Sequence, residues 1–341
     1  MRARGLEWDK WDILASQAWP DIPVYWDLYL ENFKSGVVGA GERYHLGPPM
    51  SERCSAFIAT GSYTEGGEII IAHNTWTDYG TGSYLNVIVD INPVKGHRMI
   101  MQSTGGTVWS GPDWIYNDEG LMLTETTIPG MYVYDPTGLP IFMRERLAMQ
   151  YCDSIDEFLD VMLYRNDGAY ANEWLIGDAE TGEICSLQLG GEHYDLYRSF
   201  DDMIVSSNYP KGPGVRSETV FDYTDTETVP YWRYQRWLEI RDYYTSHPGL
   251  IDCELAMSFE SDHHDMYTGT DEPSIRTLCG HGEADTNVPP ITNWDGSPID
   301  GPVPVGAIDG KVTCSSLVMD DMACGAASVT HAEPSFTHQI S

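Results

Sequence analysis

The clearest pattern of apolar and polar positions begins at residue 54. Cys54-Ser55-Ala56-Phe57-Ile58 is a run of small and apolar residues. It leads to a turn at Glu65-Gly66-Gly67-Glu68, and Ile69-Ile70-Ile71 returns into the polar and aromatic Ala72-His73-Asn74-Thr75-Trp76. Two such runs around a glycine turn predict a β-hairpin. Antiparallel pairing would bring His73 and Asn74 back beside Cys54. Strands continue at Tyr84 to Asp90 and Met99 to Met101, and the turn Asn117-Asp118-Glu119-Gly120 feeds a strand from Leu121 to Thr127.

The period then changes. Pro140 to Gln150 reads as a helix. A second helix starts at the capping box Ser154-Ile155-Asp156-Glu157, with Phe158, Leu159 and Met162 on its apolar face. Trp174 to Gly177 and Ile184 to Leu187 form another hairpin around Glu180-Thr181-Gly182, and a strand from Met203 to Ser206 ends at Ser207-Asn208-Tyr209-Pro210. Tyr231 to Tyr244 and Leu250 to Phe259 are helical, 289–310 reads as surface loop, and Val312 to Met319 as a last strand. Strand blocks alternating with helix pairs predict layered sheets and helices. Residues 1–53 read as a separate leading piece: Trp11 to Phe33 is helical in pattern but broken by Pro20 and Pro23, and Gly47-Pro48-Pro49 delivers the chain to Cys54.

Charge narrows the partners. The 341 residues carry 52 acidic and 19 basic side chains, a net charge of −33. So acidic a chain is unsuited to nucleic acid, which needs clustered Arg and Lys, and to anionic lipid surfaces. The acidity reads either as that of a soluble acidic protein or as adaptation to high salt, where self-repulsion is screened. No apolar run is long enough for a transmembrane helix, and no secretory signal follows the basic N-terminus. Seven cysteines, an odd number with no CxxC pair, suggest neither a disulfide framework nor a zinc ribbon. A reduced, cytoplasmic setting with one special cysteine is the expectation, and no cofactor is expected.

Cys54 is that cysteine. It stands at a strand start with small neighbours, behind a proline-rich loop. If the Arg53–Cys54 bond is cut, it carries both a thiol and its own α-amine, a nucleophile with a built-in base. The unperturbed pKa of such an amine, about 7.7–8.0, suits proton transfer near neutral pH. On residues alone, Cys54 and His73 read equally as core residues, Asn208 as a turn residue, and Arg233 and Arg236 as surface ion-pairing groups on a helix.

Cys54-Ser55-Ala56-Phe57 followed by Ala72 to Tyr79 resembles the start of the mature chain in phospholipase B-like proteins, which are N-terminal-nucleophile hydrolases. The similarity continues at Asp118-Glu119-Gly120-Leu121, Thr124 to Thr127, Gly138 to Ile141 with Arg144 and Arg146, and Tyr170 to Asp178. It resumes at Ser206 to Tyr209, Asp262-His263-His264-Asp265 and Gly306 to Val312. Penicillin acyltransferases and bile-salt amidases resemble it more distantly. The resemblance implies an α+β fold, a four-layer αββα sandwich over 54–341, with 1–53 an autocleaved propeptide removed between Arg53 and Cys54. It implies Cys54 as nucleophile and Asn208 as oxyanion donor, with Thr127 as a second contributor and Asn74 beside them. It further implies that Arg233 or Arg236 is the site cation that favours thiolate over thiol. His73 falls where the amidases have another arginine, and Trp76 where they have aspartate.

The implied function is acyl transfer to water through a Cys54 thioester, on a small acylated substrate or lipid, with lipid deacylation favoured. Alternatives are a linear-amide hydrolase or acyltransferase of the amidase type, and a catalytically silent binding protein on the same fold. A third is a metal hydrolase on His263, Asp265 and His281. The set His263-His264-Asp265 and Cys279-Gly280-His281 matches no established zinc spacing, and adjacent histidines diverge, so no metal is assigned. The oligomeric state is not legible.

Overall fold

In the computed structural model, residues 9–18, 44–45, 54–219, 228–285, 291–292, 298–299, 305–320 and 326–329 are described. The chain opens with α1 (Lys10–Gln17) and β1 (Tyr44–His45). The first hairpin follows as β2 (Ser55–Ala59) and β3 (Ile70–Asn74), then β4 (Trp76–Asp78), α2 (Tyr79–Leu85), β5 (Val87–Ile91) and β6 (Met99–Ser103). Next come β7 (Trp114–Asn117), β8 (Leu121–Thr127), β9 (Val133–Tyr134), α3 (Ile141–Tyr151) and α4 (Ile155–Leu163). Then come β10 (Asn172–Asp178), β11 (Glu183–Leu189), β12 (Tyr194–Ser199) and β13 (Met203–Ser206), followed by α5 (Pro213–Arg216), α6 (Val229–Thr245) and α7 (Cys253–Glu260). The last are β14 (Ile291–Thr292), β15 (Pro298–Ile299), β16 (Val305–Ala307), β17 (Gly310–Cys314), α8 (Ser315–Asp320) and β18 (Ala326–Val329).

Two antiparallel sheets carry the fold. One has the strand order β12-β11-β10-β8-β7-β6-β5, the other β13-β2-β3-β17-β18. Side chains alternate faces along a strand, and in the inner strands β2, β3, β8 and β10 both faces are buried. Ala56, Ile58, Ile69 and Ile71 of the smaller sheet meet Ile100, Trp114, Met122, Leu175 and Ile184 of the larger one. Phe57, Ala59, Ile70 and Ala72 face Trp237, Ile240 and Phe259 of α6 and α7. Met99, Leu123, Trp174 and Leu187 face Phe142, Phe158 and Met162 of α3 and α4. The layer order is therefore helix, sheet, sheet, helix: the αββα sandwich that the N-terminal-nucleophile resemblance implies.

Several local expectations are corrected. The strand expected over Tyr84 to Asp90 is α2 followed by β5. Asp78 caps that helix by accepting from the Thr81 N–H at 2.9 Å, and Gly82 lies too close to Ile308 for a side chain. Tyr84 and Ile88 are exposed, so the apolar run does not mark a core strand. The last expected strand, Val312 to Met319, ends at Cys314 and continues as α8. The seventh helix starts after its cap Asp252 rather than at Leu250. Within the expected surface loop, 305–310 is largely buried, and β16 pairs with β4. Cys253 and Cys314 form a disulfide between α7 and β17 that cysteine count and spacing did not suggest. Their partnership comes from helix-on-sheet packing across 61 residues. Most of 1–53, including Arg53, lies outside the described residues.

Candidate active site

The β2–β3 register sets Ser55 opposite Asn74 and Ala56 opposite His73. Cys54 thus lies just past the paired end of β2, and His73 shares the inter-sheet face with Ile71. The Cys54 sulfur, a His73 ring nitrogen and an Asp113 carboxylate oxygen lie within 4.8 Å of one another, all buried. The Cys54 N–H donates to Asn208 Oδ1 at 2.7 Å, and Asn208 Nδ2 donates to the Thr127 carbonyl at 2.7 Å. Arg233, fully buried on α6, donates to Asn208 Oδ1 at 2.8 Å, to Ser55 Oγ at 3.3 Å and to the Cys54 carbonyl. Its guanidinium lies 4.5 Å from the centre of the Trp76 ring, a cation–π distance.

Around this cluster the gap between the sheets changes from apolar to polar. Lys311, opposite His73 in the β3–β17 register, pairs with Asp309 at 3.0 Å and donates to the Pro112 carbonyl at 3.1 Å and to Thr75 Oγ1. The Asp113 carbonyl accepts from Thr124 Oγ1 at 2.6 Å, so the turn before β7 is held from both sheets. Burial, and then the Lys311 charge, push the His73 imidazole well below its ordinary value, against a raising contribution from the Glu125 carbonyl. His73 is therefore neutral near pH 7. Burial likewise pushes the Glu260 carboxyl well above its ordinary value, with Lys311 opposing and Asp309 adding to the rise. Asp113 (φ 59°) and Asn208 (φ 63°) have left-handed backbones, which non-glycine residues adopt at a cost, though Asp and Asn least.

The structure brings together Cys54, His73, Trp76, Asn208 and Arg233. Arg236 points elsewhere, to Asp262 at 2.6 Å and to Glu239. Thr127 meets the cluster through its main-chain carbonyl, while its hydroxyl faces Tyr170 and Glu125. Asn74 turns to the opposite face and donates to the Glu260 carbonyl at 2.6 Å, so it braces α7 rather than the cysteine. Sequence reasoning missed Asp113, Lys311 and Asp309. The signal available was Gly310-Lys311-Val312, a lysine inside an apolar strand. Asp113 had no local signal.

A cavity of about 380 Å³ opens between β11–β12, β13 and α6, lined by Leu196, Met203, Val205, Lys211, Tyr234 and Arg241 among others. None of the cluster residues lines it.

Residues 20–186 match the family model of Phospholipase B. Phospholipase B-like protein F of Dictyostelium discoideum is 29% identical over 136 residues, 37% of this chain and 24% of that protein. A phospholipase B-like 2 protein of Mus musculus is 30% identical over 146 residues, 38% of this chain and 24% of that one. The matched stretch thus spans about a quarter of the length of these relatives. Among solved structures, a mutant conjugated bile acid hydrolase from Clostridium perfringens aligns with a TM-score of 0.47 and 11% identity, covering 82% of this chain and 90% of that one. The family match takes in the β2–β3 hairpin with Cys54, His73 and Trp76, and also Asp113 and Thr127, so over this stretch the chain is similar to phospholipase B-like proteins.

Proposed function

We propose that the chain is a self-processing cysteine hydrolase that cleaves acyl bonds through a thioester on Cys54. The observation that supports this is the convergence on one strand-start cysteine of a neutral imidazole, a carboxylate, a side-chain amide and a buried guanidinium. In processing, Cys54 Sγ adds to the Arg53 carbonyl carbon while its proton passes to His73. The C–N bond breaks as that proton moves to the departing Cys54 nitrogen, leaving a thioester. Water hydrolyses the thioester and frees a chain ending at Arg53, together with the Cys54 thiol and α-amine. In the mature enzyme that amine takes the thiol proton in each turnover, and the cycle repeats on an external acyl group.

Asn208 Nδ2 has two hydrogens. One is used on Thr127, and the other is the oxyanion donor in this reading. Arg233 supplies the fixed cation that thiolate chemistry needs nearby. Phospholipase B-like relatives favour an acyl ester of a lipid as substrate, and an amide would pass through the same steps.

The test is the intact mass of denatured protein beside Cys54→Ala. A 288-residue chain starting at Cys54 (341 minus 53), absent from the variant, is expected. Only full-length chain in both, after long incubation across pH and salt, would leave the silent binding protein as the better reading.

A further inference from the structure

A second cluster adjoins the loop on which the Trp76 ring packs. His263 Nε2 and His281 Nε2 are 3.1 Å apart, and Cys279 Sγ is 3.3 Å from His281 Nε2. All three ligand atoms lie within 4.8 Å of one another. Cys279 and His281 are fully buried and His263 is half-buried. The backbone builds this meeting: the Cys279 N–H donates to the Asp262 carbonyl at 3.0 Å and the His281 N–H to the Ser274 carbonyl at 2.8 Å. His264 diverges to Asp271 at 2.7 Å, and Asp265 is held by Arg276 at 2.8 Å, so neither joins.

We propose that His263, Cys279 and His281 bind one zinc(II) ion, with a water in the fourth position. Zinc takes nitrogen at about 2.0–2.1 Å and thiolate sulfur at about 2.3 Å in a tetrahedron, which sets an N–N edge of about 3.4 Å and an N–S edge of about 3.5 Å. The two separations from His281 are a few tenths of an ångström shorter, and the His263–Cys279 edge lies within 4.8 Å, so small ring rotations seat the ion. His281 Nδ1 lies 2.9 Å from Glu283 Oε1, and Glu283 also accepts from the Tyr79 hydroxyl. The Nδ1 proton is thereby placed on the carboxylate side, and the Nε2 lone pair points at both His263 and Cys279. This is the carboxylate–histidine arrangement that orients zinc ligands. Zinc with one thiolate leaves one positive charge, which Glu283 balances.

The site would pin the loop beneath Trp76. The Leu278 carbonyl accepts from Trp76 Nε1 at 3.3 Å, and Gly280 packs so closely on the ring that a Cβ there would come within 1.7 Å of it. Zinc is thus assigned a structural role behind the tryptophan that carries Arg233, independent of whether Cys54 processes itself.

The full chain carrying Cys54→Ala, which removes the other cysteine–histidine cluster, is the starting protein. It is stripped with a chelator, then titrated with cobalt(II) and with zinc(II) against a chromogenic chelator. One equivalent is expected, with a thiolate-to-cobalt charge-transfer band that Cys279→Ser abolishes. Glu283→Gln should weaken zinc about 10–100-fold, and the half-buried His263→Ala at least as much. No thiolate band in the parent, a band that survives Cys279→Ser, or unchanged zinc affinity in His263→Ala would overturn the proposal. Should Cys279→Ser fail to fold, the His263→Ala titration decides.

Discussion

Replacing Asn208 by Asp separates the fold from the chemistry. The amide plays two parts: Oδ1 accepts from Cys54 at 2.7 Å and from Arg233 at 2.8 Å, while Nδ2 donates to Thr127 at 2.7 Å. Aspartate keeps the shape, tolerates the left-handed φ of 63° and retains both accepted bonds. It loses every side-chain donor. On stability, leaving the Thr127 carbonyl without this partner costs about 1–3 kcal/mol, and a charge-assisted bond from Arg233 returns about 1.5–3 kcal/mol. Folding stability should therefore change by no more than about 2 kcal/mol. On chemistry, loss of one oxyanion donor costs about 3–4 kcal/mol, a factor of about 10²–10³ in rate. A carboxylate facing the developing oxyanion adds to that loss. Cell-free synthesis followed by timed mass analysis gives the rate at which the Cys54 chain forms, and thermal melting gives the stability. An Asn208→Asp chain that melts normally and processes within about threefold of wild type would refute the oxyanion role. A collapse in melting temperature would refute the Arg233 pairing.

Three further substitutions read two buried titratable groups and one close contact. Because His73 binds its proton far more weakly when folded than when unfolded, stability should fall as pH drops below about 6.5. Urea unfolding of His73→Gln at pH 5, 6 and 7 should lack that part of the slope. Burial pushes Glu145 up to about 8 from 4.5, so the folded chain holds a proton that the unfolded chain gives up, and stability falls as pH rises across that window. At about 1.36 kcal/mol per unit over 3.5 units (8 minus 4.5), the upper bound is about 5 kcal/mol. Glu145→Gln leaves its amide unpaired and should recover about 1–3 kcal/mol at pH 8 and little at pH 5, read by denaturant midpoints. Gly280→Ala should displace the Trp76 ring and lower the processing rate, with a fall in melting temperature of several degrees.

What was legible in the sequence follows the range of the interactions. The β2–β3 hairpin could be read because its partners are close in sequence and its turn glycines are local. The inter-strand register that places His73 beside Cys54 follows from that hairpin. Arg233 and Arg236 were ambiguous because an aromatic-rich helix hides its face. Burial of Arg233 with Trp237 and Ile240, at i+4 and i+7, resolves it. Asp113 was not legible: it follows Gly111-Pro112 in a turn without periodicity, and its place is fixed by tertiary contacts, with Thr124 Oγ1 on its carbonyl, the Tyr170 hydroxyl on its carboxylate and Lys311 on the neighbouring Pro112 carbonyl. The disulfide is tertiary in the same sense, its members meeting when α7 packs on the smaller sheet, and the His263–Cys279–His281 cluster forms where the chain after α7 folds back on itself through the Cys279 N–H and the Asp262 carbonyl.

The polar gap has to be held open against the energetics of the fold. Cys54, His73, Asp113, Glu125, Asp309 and Lys311 are all buried, and two of the three non-glycine residues with left-handed backbones among the described residues stand in the same cluster. Burying ionisable groups and straining the backbone both oppose folding, and apolar substitutes of similar shape would stabilise such a region. The apolar half of the same gap shows that these strands can pack conventionally: Ile58, Ile71, Met122 and Leu175 fill it a few residues away. The departure is thus confined to the strand ends around one cysteine. Local rules that fail together at a single place, while holding along the rest of the same strands, are what the proposed Cys54 chemistry would require and what selection for stability alone would remove.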